Sequence, residues 1–136
     1  DTNLNAAYMA GVLARMGDVA ASYSYWTFGD VFEEQGVPPM PFHGGFGLIA
    51  NGQIAKPTLW SFAFFSHLHG TPVHRDEHSV IVRKDDGSYE GVLWNLCRTD
   101  HDELTVTIAL PAGGEQTLTT ETVDEVCLLY TAEGMA

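Results

Sequence analysis

Two adjacent carboxylates, Glu33 and Glu34, stand in a loop flanked by aromatics and glycines, within SYSYWTFGDVFEEQGVPPMPFHGGFG over residues 22–47. An ionised carboxylate accepts strong hydrogen bonds from hydroxyl groups. The indole of Trp26 offers an apolar face that can cover the C–H face of a sugar ring. Together these residue types suit a neutral, polyhydroxylated ligand. Three readings of the glutamates stand side by side: a self-contained catalytic pair, a pair of hydroxyl acceptors, and a solvated acidic loop. Neighbouring residues in extended backbone point to opposite sides, so placing both across one bond requires an unusual turn. The catalytic pair is therefore the least favoured of the three. Trp26 reads as a sugar platform or as core. His43, between Phe42 and Gly44, reads equally as a ligand contact or as a group that orders the loop through the backbone.

A second group of polar residues runs from His67 to His78, HLHGTPVHRDEH. Four histidines and two acids are the right donor types for a metal. Their spacing matches no strong zinc pattern, and His67 and His69 cannot share one helical face. A polar domain junction is the preferred reading, and no metal or other cofactor is expected. Cys97 and Cys127 have neither CxxC nor Cys/His spacing and read as buried thiols, with a disulfide between them left open. Ser, Cys and His form no nucleophile motif, and no Gly-rich phosphate loop follows a strand.

Composition narrows the classes further. With 136 residues, 45% hydrophobic and 18% charged, the chain is long enough for a real core. Its 18 acidic against 6 basic residues, a net charge of -12, disfavour nucleic acid and anionic membranes, which call for clustered Lys and Arg. No apolar run approaches a membrane span in length. The sequence begins abruptly at a helix start, so a missing leader says nothing about compartment: cytoplasmic and secreted remain open.

The elements that must position these residues follow in order. Asp1-Thr2-Asn3 supplies capping side chains for a helix over Asn3–Met16, with Leu4, Ala7, Tyr8, Val12 and Met16 on its packing face and Gly17 at its end. Ala20–Phe28 reads as a strand covered on both faces. The loop 29–52 is long enough to suggest a functional role. Pro57 opens a second helix that closes before Gly70. This helix is apolar nearly all round and is expected to be buried on most sides, with Trp60 in the core. From there the period changes to two. Strands are expected around Val80–Val82, Val92–Leu96 (with Trp94 in the core), Leu104–Leu110, Gln116–Thr122 and Glu125–Tyr130, as in an antiparallel sheet or sandwich. The chain thus divides near residues 70–77 into a helix–strand–helix half and an all-β half. One strand between two helices cannot make a sheet alone, which points to membership of a larger body.

The stretch resembles glycoside hydrolase family 39, in its bacterial β-xylosidase branch. The matching residues are Asn5-Ala6-Ala7-Tyr8, Ser24-Tyr25-Trp26-Thr27-Phe28, Asp30-Val31-Phe32-Glu33-Glu34, Pro41-Phe42-His43-Gly44-Gly45-Phe46-Gly47 and Lys56-Pro57-Thr58. They cover at least the first 70 residues, with weaker motifs beyond; Gly29 departs from the usual Ser. The resemblance implies an α+β piece. Residues 1–70 would be the C-terminal part of a (β/α)8 TIM barrel, and residues 71–136 an antiparallel β-sandwich accessory domain. It also implies that Trp26, Glu33 and Glu34 line the glycone subsite at the C-terminal end of a barrel strand, with Phe42 and His43 beside them. The family hydrolyses xylosides with retention, using two glutamates on opposite sides of the scissile bond. By the family's chain order both are expected upstream of Asp1, so whether this chain alone is an enzyme stays open.

Xylose or xylo-oligosaccharide is the implied ligand. A piece with such faces is expected to associate with itself or with a complementary N-terminal barrel fragment. Two other readings are carried: a non-catalytic sugar-binding or structural module, and an α-L-iduronidase-like hydrolase. The last needs a cation for the uronate carboxylate. Lys56 is the one base near this loop in sequence, and Lys-Pro at a helix start already accounts for it.

Overall fold

The computed structural model describes residues 1–31, 36, 39–96, 103–109 and 115–121. The first helix, α1, spans Asn3–Met16 as expected, with Thr2 as its N-cap accepting the Asn5 N–H at 3.3 Å. Its buried stripe differs from the expected one. Ala7, Ala10 and Ala14 face the core, whereas Leu4 and Tyr8 are exposed. Small side chains let the helix approach its neighbours closely; the larger ones are left on the outer side.

Residues 20–28 make no ladder and are not covered on both faces: Tyr23, Trp26 and Phe28 are exposed. A strand is defined by the hydrogen bonds of a neighbour, and here only the end of the segment finds one. Gly29 bridges Ile49 in parallel, and Ile49 N–H donates to the Phe28 carbonyl at 3.0 Å. The long loop is correspondingly shorter than expected. β1 (Ile49–Ala50) and β2 (Ile54–Ala55) form a small antiparallel hairpin inside and just beyond it, turning through Asn51-Gly52-Gln53.

The second helix, α2, spans Pro57–His67, with proline in the first turn where its missing N–H is harmless. Its burial is a correction. The residues it buries are Pro57, Thr58 and Ser61, while Trp60 is 45% and Phe64 57% exposed, so Trp60 is not core. The face turned to α1 is polar and small: Ser61 Oγ donates to the Ala6 carbonyl at 2.8 Å, and Asn5 Nδ2 donates to Thr58 Oγ1 at 2.6 Å. Periodicity marks which residues are apolar; it does not say which of them find a neighbour.

β3 (Thr71–Arg75), β4 (Ser79–Arg83) and β5 (Tyr89–Leu93) form an antiparallel sheet in that order. β3 contains Pro72 and a register shift between Pro72 and His74, both at home on an edge strand. β4 is central and buries Ser79, Val80 and Val82. Trp94 is buried as expected, against Ala10, Val80 and Phe65, with the Phe65 ring 6.3 Å away. This small apolar core therefore joins α1 and α2 to the sheet, across the junction inferred near residues 70–77. β6 (Glu103–Ala109) and β7 (Glu115–Glu121) form a separate antiparallel hairpin. Leu104, Val106 and Ile108 are half-buried between exposed neighbours, the alternation read from sequence. The strand expected at Glu125–Tyr130, and both cysteines, lie outside the described residues. No helix among the described residues is long and apolar enough to cross a membrane.

Candidate functional site

At the end of the aromatic segment the chain alternates between outside and inside. Trp26 and Phe28 are exposed, while Thr27, Gly29 and Asp30 are buried. The inward side meets the PFHGGFG segment. Thr27 N–H donates to the Phe46 carbonyl at 3.3 Å, and Leu48 N–H lies 3.0 Å from the Thr27 carbonyl and 3.1 Å from that of Phe28. The peptide bond between Trp26 and Thr27 is cis. Trp26, 70% exposed, thus stands at the open edge of a backbone seam formed with Phe46-Gly47-Leu48. The core reading of Trp26 fails within this chain, and Phe46 is exposed as well.

Beneath the seam lies a buried charge cluster that reasoning from sequence missed. Asp30 and Lys56 are 2% and 1% exposed. Lys56 Nζ lies 2.8 Å from Asp30 Oδ1 and 2.6 Å from Oδ2, and donates to the Gly45 carbonyl at 2.9 Å. Asp1 Oδ1 is a further partner of the ammonium, while Asp1 Oδ2 accepts the Gly44 N–H. Asp30 Oδ1 also accepts the Gly47 N–H at 2.7 Å. A Cβ on Gly47 would lie 2.6 Å from Asp30 Oδ1, so only glycine fits this close approach. Lys56 is therefore not merely the residue ahead of a helix. A signal for it was present: it is the only Lys or Arg between Arg15 and Arg75. A solitary base in a strongly acidic chain, beside a proline that fixes the backbone, is a candidate for a committed ion pair.

His43 sits in the same cluster, its side chain 9% exposed and its Nε2 3.7 Å from Asp30 Oδ2. Its Nε2 has no hydrogen-bond partner among the described residues. Phe42 is half-buried next to it. Glu33 and Glu34 lie outside the described residues; the described chain places their flank, Asp30-Val31, directly beyond the seam.

The histidine-rich segment resolves into turn and strand. Asp76 Oδ1 accepts the His78 N–H at 2.8 Å and Ser79 Oγ at 3.0 Å, closing the turn between β3 and β4, while His74 Nε2 lies 3.0 Å from Asp76 Oδ2. The His78 backbone bond, followed by the His74 contact, holds the Asp76 carboxyl well below the usual carboxylate range. Arg75 pairs with Asp18 at 2.7 Å and reaches the Ala14 carbonyl, tying the edge strand to the end of α1. No group of three or more metal-ligating side chains occurs among the described residues.

Residues 1–122 match the family model for glycosyl hydrolases family 39. The chain belongs to that family. It is 49% identical over 110 residues to a β-xylosidase of Geobacillus stearothermophilus, an alignment that covers 81% of this chain and 22% of that relative. It is also 52% identical over 48 residues to a β-xylosidase of Caldicellulosiruptor saccharolyticus, covering 35% of this chain and 10% of the other. Among solved structures, the family 39 enzyme of Xanthomonas axonopodis pv. citri superposes with a TM-score of 0.64 at 33% identity, over 73% of this chain and 20% of that one. A family 39 β-xylosidase of Caulobacter crescentus gives 0.56 at 37% identity, over 63% and 20%. The chain thus spans about a fifth of the length of the Geobacillus relative, 22%, and of the two solved structures, 20% each.

Proposed function

We propose that this chain is the C-terminal part of a retaining, β-xylosidase-like glycoside hydrolase, and that it supplies part of the glycone subsite. The observation that carries this reading is the exposed Trp26 at the edge of a seam locked to PFHGGFG, in a chain that is 49% identical to a β-xylosidase. In this reading Trp26 covers the apolar face of a terminal xylosyl ring, Glu33 and Glu34 accept its hydroxyls, and Phe42 and His43 shape the loop at its side. Such contacts strengthen as the oxocarbenium-like transition state develops. The acid/base and the nucleophile are contributed by residues outside 1–136. Residues 1–70 complete a (β/α)8 barrel, and residues 71–136 build an antiparallel β-sandwich; the all-antiparallel pairing of β3 to β7 supports the latter.

Lys56 bears on the choice of sugar. Its ammonium is buried and already held by Asp30, Asp1 and the Gly45 carbonyl, so it is not available for a uronate carboxylate. This favours a neutral xylosyl group over an iduronidase substrate. The exposed apolar side chains of both helices, Leu4, Tyr8, Trp60 and Phe64, support the association of this chain with a second copy or with a complementary barrel fragment. A monodisperse monomer in sedimentation would count against that association.

The test is a xylose titration and an aryl β-xyloside assay on the chain, with Glu33→Gln, Glu34→Gln and Trp26→Ala alongside. Saturable xylose binding that weakens in each variant, with no turnover, is the expected result. Turnover lost in either glutamine variant would make the glutamates the catalytic pair and overturn the assignment. A folded chain that ignores xylose would remove the subsite reading.

A further inference from the structure

We infer that the buried Asp30–Lys56 pair is a positioning device for the Trp26 edge of the site, and not only a stabilising contact of the fold. Four separate pieces of chain meet at it. Asp30 ends the aromatic segment, Gly45 and Gly47 belong to PFHGGFG, Lys56 opens α2, and Asp1 precedes α1. Lys56 Nζ reaches the Gly45 carbonyl and the Asp1 carboxylate, Asp30 Oδ1 takes the Gly47 N–H, and Asp30 Oδ2 faces the ammonium. The pair therefore sets the relative position of the pieces, whereas an apolar contact would tolerate sliding.

The seam above it has few other means of holding register. Residues 20–28 have no ladder partner among the described residues, and the Thr27–Phe46 and Leu48–Thr27 bonds are isolated ones outside any named strand. Lys56 is fastened to the seam a second time, through its backbone N–H to the Leu48 carbonyl at 2.9 Å. Thus the same residue holds the loop from below by its ammonium and from the side by its main chain. Asp30 does likewise: its carboxylate takes the Gly47 N–H, and its own N–H donates to the Ile49 carbonyl at 3.0 Å. Trp26 and Phe46, exposed at the seam's edge, are placed by these four bonds together with the seam's own bonds and the contacts of Tyr25 to Asn5 and Phe62.

This inference rests on the sugar-site reading only for its ligand; its structural content is independent. Amide hydrogen exchange and xylose titration on the full chain test it, using Lys56→Met and Asp30→Asn, with Lys56→Arg as the variant that keeps the charge. In Lys56→Met the Thr27 and Leu48 amides should be accelerated about tenfold more than those of Val80 and Val82 in the central sheet strand. Xylose affinity should fall by about tenfold in the same folded protein, with partial recovery in Lys56→Arg.

Equal acceleration of both sets of amides would show a general loss of stability and overturn the inference, as would unchanged exchange at Thr27 and Leu48. If Lys56→Met does not fold, Lys56→Arg and Asp30→Asn carry the same comparison of seam against sheet. If the parent chain does not bind xylose, the ligand reading fails, and the exchange comparison still decides the positioning role.

Discussion

Two small cores of this molecule hold their surroundings by opposite means. One, beside α1 and α2 and the three-stranded sheet, is Ala10, Val80 and Trp94 with half-buried apolar neighbours. The other, under the candidate site, is Asp30 and Lys56 with the backbone of a glycine-rich loop. The apolar core is non-directional: any filling of about the right volume holds it. The charged core is directional, because a buried carboxylate and ammonium are tolerable only while each keeps its partners. The region that carries the proposed aromatic platform uses the directional kind. The region that only fastens a sheet to two helices uses the other.

Breaking the charged core should have the largest effect. Lys56→Met leaves Asp30 buried without its cation, and should lower stability by about 3–5 kcal/mol, read from the denaturant midpoint. Truncating the apolar core comes next. Trp94→Ala should cost about 3 kcal/mol, whereas Trp94→Phe, which keeps most of the volume, should cost about 1 kcal/mol. A smaller loss in Lys56→Arg than in Lys56→Met would sharpen the contrast, since the retained charge would then satisfy part of the directional site. If instead Lys56→Met proved as mild as Trp94→Phe, the distinction between the two cores would collapse.

A smaller effect is expected at the β3–β4 turn. The Asp76 side chain is about half exposed, 51%, so its three contacts are discounted for solvent, and Asp76→Ala should cost about 1 kcal/mol. The sign of its pH dependence follows from a lowered carboxyl. Its contribution is full above the ordinary value of 3.8 and is lost as acidification proceeds from there down through the lowered folded value. Urea midpoints of the parent and Asp76→Ala should therefore converge below pH 3.8 and differ most above it. A constant gap across acid pH would remove the carboxylate as its cause. The smallest effect on stability is expected at Trp26. Trp26→Ala should stay within about 0.5 kcal/mol of the parent while xylose affinity falls about tenfold, a separation that marks a surface kept for binding.

Local signals were legible where the physics is local. Thr2 and Pro57 marked the helix starts because capping and a missing N–H act within one turn. The alternation around Leu104, Val106 and Ile108 marked β6 because successive side chains must point to opposite faces. The turn between β4 and β5 is equally local: Gly87 has φ 85, and Asp86 Oδ1 takes the Ser88 N–H at 2.8 Å. β3 was hidden because Pro72 and a run of polar residues look like a linker, and an edge strand needs only one partner. Trp60 was misread because an apolar run shows which residues are apolar and not which of them find a neighbour.

The sequence by itself determined the family, the helix boundaries, the strands around Val80, Leu104 and Gln116, and the residues from which a sugar site would be drawn, because motif order and periodicity are carried along the chain. Tertiary structure alone decided that Trp26 and Trp60 are exposed while Trp94 is buried, and that residues 20–28 form no ladder. It also paired Asp30 with Lys56 across 26 positions. The physical reason is common to all of these. Burial, strand pairing and ion pairing depend on which distant segment arrives alongside, and a residue's own neighbours in sequence do not carry that information.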